Sequence, residues 1–207
     1  MTRLKSVECG NTRARILATT RKLTISASFE QVAVREIASD ADMATRTIIS
    51  IFGTKGDLLL AIVEEDLTRL LPLSHASTES HDGTSDRILA ICLTCAAYHV
   101  NQIAILRATM AASWTFSADD AKRVQAAIKP MLELIIRELN RGIGRGELRS
   151  DMIIPLTATM ILETVVNSFR DAIYGEVILS DLENDIKQRL NLLLQSISAA
   201  TRSQQDG

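Results

Sequence analysis

Two short segments, Val34–Ala41 and Ala44–Phe52, constrain this chain more than any other feature. In each, apolar residues recur at helical spacing, and a short turn around Asp42 separates them. One helical pattern precedes the pair and another follows it. This is the spacing of a helix-turn-helix, whose second helix is free to enter the major groove of DNA.

The flanking pattern fills in a small head. A first helix is expected from about Thr12 to Ala27, with Ile16, Leu17, Thr20, Leu23 and Ala27 on one face, after which Phe29 plugs the core. The second helix buries Val34, Ile37 and Ala38. The third buries Ile48 and Phe52, keeps Ile51 at its margin, and ends at Gly53. Thr54 caps a fourth helix with Asp57 three residues on, a carboxylate variant of the capping box. That helix is expected to reach Leu71 and stop at Pro72. The polar stretch Pro72–Ser85 reads as a loop and as the best break between head and body. Long helical patterns follow over about 86–100, 102–114, 118–143, 155–174 and 180–201.

With three prolines and nine glycines in 207 residues, and much Leu, Ile and Ala, the chain is expected to be all-α. The division is residues 1–60 for the head and 61–207 for a larger helical body. The net charge of −2 hides an asymmetry, about +3 over the head and −5 over the rest. A mildly basic head on an acidic body suits a reader of DNA whose body stays off the phosphates. Met1–Thr12 lacks the apolar run of a signal peptide, and no stretch approaches about 18 consecutive apolar residues, so a cytoplasmic location is expected. Three cysteines make no disulfide framework.

Residues 12–63 resemble the DNA-binding domain of the TetR family of transcriptional regulators. The matching elements are Arg15-Ile16-Leu17, Phe29, Val34-Arg35-Glu36-Ile37-Ala38, Arg46-Thr47-Ile48, Phe52-Gly53-Thr54-Lys55 and Asp57-Leu58-Leu59. The chain departs from the family pattern at Ser28 and Asp42, where glycine is usual, at Ala33, and at Ile49 and Ile51, where aromatics are common. Aspartate tolerates a left-handed backbone better than most residues. The resemblance implies a three-helix head joined to a ligand-binding and dimerisation domain. It also implies a homodimer through the last two helices, and a repressor that releases a palindromic operator when a small molecule binds.

Base reading needs hydrogen-bonding side chains near the start of the third helix. Thr45, Arg46, Thr47 and Ser50 qualify, and Arg46 is the strongest because a guanidinium can bond guanine O6 and N7 together. Ile49 can touch a thymine methyl. Lys55 and Arg35 sit in first turns of helices, where positive charge and free amides suit phosphate. In the body, Cys95, His99, Arg107, Met110, Trp114, Met160, Asn167 and Arg170 are candidate linings of an effector cavity, set against the plainer roles of core, interface or surface.

Cys92, Cys95 and His99 share a helix face. That face is either a thiol or metal sensor or simply packed core. No metal site and no cofactor is expected, and no nucleophile elbow, phosphate loop or dinucleotide fingerprint supports an enzyme. A redox- or metal-responsive regulator and a helical binding protein without an operator remain the competing readings.

Overall fold

The computed structural model describes residues 2–174 and 178–199. Among them are nine α-helices and no strand: α1 Thr2–Leu23, α2 Val34–Asp40, α3 Thr45–Phe52, α4 Lys55–Ser77, α5 Thr84–Val100, α6 Ile103–Ser113, α7 Ala118–Gly144, α8 Ile154–Tyr174 and α9 Leu179–Ser196. The all-α expectation is borne out, with local corrections. Helix α1 runs from Thr2 to Leu23, not from near Thr12 to Ala27, and α4 runs through Pro72 to Ser77, so the stretch read as a long loop shrinks to the few residues before Thr84. The expected end of the last helix near residue 201 falls outside the described residues.

The chain forms two compact units, one of residues 1–66 with 102–125 and one of residues 67–101 with 126–207. The first unit is therefore not one stretch of sequence. Its core joins Ile16 and Leu17 of α1, Ile37 of α2, Ile48 and Phe52 of α3, and Leu58 and Ile62 of α4 to Ile105 and Ala108 of α6. Apolar side chains at i, i+4 and i, i+3 supply each helix with one buried stripe, and short helices such as α2 and α3 persist because of that shared burial.

In the second unit α5, α8 and α9 pack against one another. Ile88 and Ile91 of α5, Ile161, Val165 and Phe169 of α8, and Leu182, Ile186 and Leu190 of α9 are buried. A buried ion pair from Arg87 to Glu138 fastens α5 to α7. Gly142 lets α7 approach its neighbours closely: a Cβ there would lie 2.8 Å from both Leu148 Cδ1 and Thr84 Cγ2.

Candidate nucleic-acid interface

The α2–α3 corner is built by backbone hydrogen bonds. At the end of α2 the Met43 amide donates to the Ala38 carbonyl (2.9 Å) and the Asp42 amide to that of Ser39 (3.1 Å). This is the paired closure that needs a left-handed residue just past the helix. Asp42 fills that position at φ 52°, the one positive φ outside glycine among the described residues. The aspartate expected to tolerate this backbone does so. Gly53, at φ 81°, then ends α3.

Helix α4 begins with a reciprocal cap. The Thr54 amide and hydroxyl donate to Asp57 Oδ2 at 3.2 and 2.6 Å, and the Asp57 amide donates to Thr54 Oγ1 at 3.0 Å. These bonds satisfy orphan groups of the first turn. Asp57 is held below the usual carboxylate range, first by the Thr54 hydroxyl, then by the Thr54 amide and Arg123, against a smaller opposing effect of burial.

Helix α3 sorts its residues by face. Ile48 and Phe52 are buried, Thr45, Thr47 and Ile51 are half-buried, and Arg46, Ile49 and Ser50 are exposed. Positions 46, 49 and 50 stand at i, i+3 and i+4, so they make one outward stripe. Among the described residues Arg46 makes no hydrogen bond and no ion pair, and neither does the exposed Arg35 of α2. Two guanidinium groups thus reach water unengaged. Lys55 differs: its ammonium donates to the Glu30 carbonyl at 2.9 Å and lies 4.9 Å from the centre of the Phe29 ring. Two further N–H bonds of that ammonium remain for another acceptor.

The support around this surface was harder to foresee. Arg21 of α1 donates to Glu65 (2.6 Å), Asp66 (2.7 Å) and Gln102 (3.0 Å), binding α1 to α4 and to the start of α6. Arg13 of α1 lies 4.9 Å from the centre of the Phe52 ring and 3.9 Å from Glu64. Arg123 of α7 donates to Glu64 (3.0 Å) and Asp57 (3.1 Å). One signal for it lies in the sequence: bases at 13 and 21 of one helix face acids at 57, 64, 65 and 66 of another.

The candidate lining residues scatter. Arg107, Trp114, Met160, Asn167 and Arg170 are exposed in this conformation, and Met110 is half-buried. Cys95 is buried and His99 half-buried, the latter edge-on to Phe169 with ring centres 5.5 Å apart. Burial pushes the Cys95 thiol up to about 11, and that of Cys92 well above the ordinary thiol value. Both are thus protonated at neutral pH, whereas the thiolate is the form that binds metal or attacks. Among the described residues no three His, Cys, Asp or Glu side chains group so as to hold a metal ion. No single helix among them is long and apolar enough to cross a membrane.

Residues 16–62 match the family model described as bacterial regulatory proteins, tetR family. No curated protein matches the chain. Among solved structures, the fatty acid degradation regulator FadR of Bacillus halodurans superposes with a TM-score of 0.75 at 17% identity, covering 88% of this chain and 94% of that one. FadR of Bacillus subtilis, solved in complex with stearoyl-CoA, gives 0.74 at 18% identity over 89% and 98%. The ketosteroid transcriptional regulator KstR2 of Mycobacterium tuberculosis gives 0.60 at 19% over 90% and 94%. At such identities the likeness is one of fold.

Proposed function

We propose that this chain, whose residues 16–62 match the family model of bacterial regulatory proteins, tetR family, is a regulator and not an enzyme: a dimeric, effector-controlled repressor. We assign DNA reading to residues 1–60, and effector binding and dimerisation to residues 61–207. The observation that carries the proposal is the outward stripe of α3, where Arg46 stands exposed and unengaged beside Ile49 and Ser50.

In this reading Arg46 bonds a guanine edge, and Thr45, Thr47 and Ser50 take neighbouring bases or phosphates. Ile49 meets a thymine methyl, while Arg35 and Lys55 hold the backbone on either side. One short helix spans few base pairs, so a second copy reads the other half of a palindrome. The exposed Leu156, Met160 and Val166 of α8 support a two-fold bundle made with α9.

A small molecule taken up by the body, with Cys95 and His99 as the first inward candidates to touch it, shifts α4 and α7. Both helices begin in the first unit and end in the second. Release follows if the effector binds the shifted state more tightly. Stearoyl-CoA, held by a protein of the same fold, is the first effector to try. Such a regulator works in the cytoplasm, where the operator is.

The test is selection of bound fragments from random DNA. The wild-type protein should enrich one palindrome, and Arg46→Ala should enrich it more weakly, with preference relaxed at one base pair of each half-site. Failure to enrich any sequence would leave a helical protein without an operator.

A further inference from the structure

Arg123 stands far along the chain from α3, yet two short paths lead from it to the end of that helix. Its Nη1 donates to Asp57 Oδ1 at 3.1 Å, while the other oxygen of Asp57 accepts the amide and hydroxyl of Thr54, two residues after Phe52. Its Nε donates to Glu64 Oε1 at 3.0 Å, while Glu64 Oε2 lies 3.9 Å from Arg13, whose guanidinium lies over the Phe52 ring. Each carboxylate therefore serves Arg123 with one oxygen and the support of α3 with the other. All these residues lie in one compact unit.

We propose that Arg123 is a positioning residue for DNA recognition, setting the angle of α3 through Asp57–Thr54 and through Glu64–Arg13–Phe52. The inference rests on the operator-reading proposed above. A planar guanidinium suits the task because it directs bonds to two carboxylates in fixed directions, which an ammonium does not. Part-exposed ion pairs add little stability one by one. The contribution therefore lies in geometry: loss of Arg123 leaves the head folded and its reading helix less well aimed. Arg123 also sits in the helix that continues into the second unit, so movement of α7 reaches α3 by this route without needing a contact to DNA.

The experiment uses the full-length chain and the palindrome that the wild type selects from random DNA. Arg123→Gln should bind it roughly tenfold more weakly, with an almost unchanged thermal midpoint. Arg123→Lys should recover part of the loss, and Glu64→Gln, which cuts one path, should weaken binding less than Arg123→Gln. The slope of log affinity against log salt should match wild type in all three, since no phosphate contact is removed. Wild-type affinity in Arg123→Gln and Glu64→Gln would overturn the inference and leave the operator-reading intact. A salt slope reduced by about one would overturn it too, by making Arg123 itself a phosphate ligand. If the wild type selects no sequence, both fall together. Should Arg123→Gln fail to fold, Glu64→Gln alone decides.

Discussion

Arg87 of α5 grips both oxygens of Glu138 on α7, Nε to Oε2 at 2.6 Å and Nη2 to Oε1 at 2.9 Å. The remaining donors go to the carbonyls of Thr78 and His81 and to the Thr78 hydroxyl. Both side chains are buried. A buried charge stripped of its partner is costly even where the intact pair is nearly neutral to stability. Glu138→Ala should therefore lower unfolding free energy by about 3 kcal/mol, the low end for such losses because Arg87 keeps its carbonyl acceptors. Glu138→Gln should cost less. Denaturant titration measures both, and wild-type stability in Glu138→Ala would contradict the assignment.

The same pair sets a dependence on pH. Arg87 holds the Glu138 carboxyl below its ordinary value, chiefly through their hydrogen bonds. The Thr84 amide does the same for Glu147, and Thr54 for Asp57. A carboxyl with a depressed folded-state pKa stabilises the fold above its unfolded pKa, and that contribution disappears as pH falls through the folded value. Stability should thus decline steadily below about pH 4.5. Glu138→Gln should show a shallower decline than wild type when unfolding midpoints are compared across that range.

Arg46 and Arg35 should separate in kind. Arg46→Ala is expected to weaken operator binding by about 1–3 kcal/mol and to relax preference at one base pair of each half-site. Arg35→Ala should weaken binding to all sequences alike and reduce the salt slope by about one. Affinities for the operator and for single-base variants, at several salt concentrations, distinguish a base contact from a phosphate contact.

At Asp42 the backbone is left-handed, so side chains act through strain. Asp42→Gly should raise stability by up to about 1 kcal/mol, and Asp42→Val should lower it by about 1–2 kcal/mol. Thermal melts of the two variants should fall on opposite sides of wild type.

Cys92 and Cys95 are buried, and both thiols are shifted upward by that burial. In a Cys9→Ser background the native protein should resist a thiol-specific chromogenic reagent, and denaturant should release two reactive thiols. Rapid labelling of the folded protein would reopen a redox role.

Local chemistry was legible where one helix or one turn decides the outcome. Ile48 and Phe52, four apart, fix which face of α3 turns inward, and Thr54 with Asp57 announces the start of α4. Pro72 misled. A proline removes a helical hydrogen bond and crowds the turn before it. In α4, however, Pro72 is exposed while Leu70 and Ser74 are buried, and that burial carries the helix onward to Ser77. Ser74 and Thr78 look like turn residues in sequence, yet both are buried. The polar start of α1 gives no periodicity from which to read a helix. Nor does anything near Ile105 or Ala108 announce a place beside Ile16 and Phe52, since that adjacency comes from pairing across long separations. The links of Arg123 were hidden for the same reason.

The interleaving of the two units bears on how this protein can be dissected. A fragment cut after Asp66 would lose Gln102–Gln125, and with it Ile105, Ala108, and the partners that Arg21 and the acids of α4 find there. Such a fragment would present bare hydrocarbon and stranded carboxylates to solvent. Residues 67–101 form, in effect, an insertion tethered at both ends to the unit that carries α3, so that unit cannot be cut from this chain as one continuous stretch.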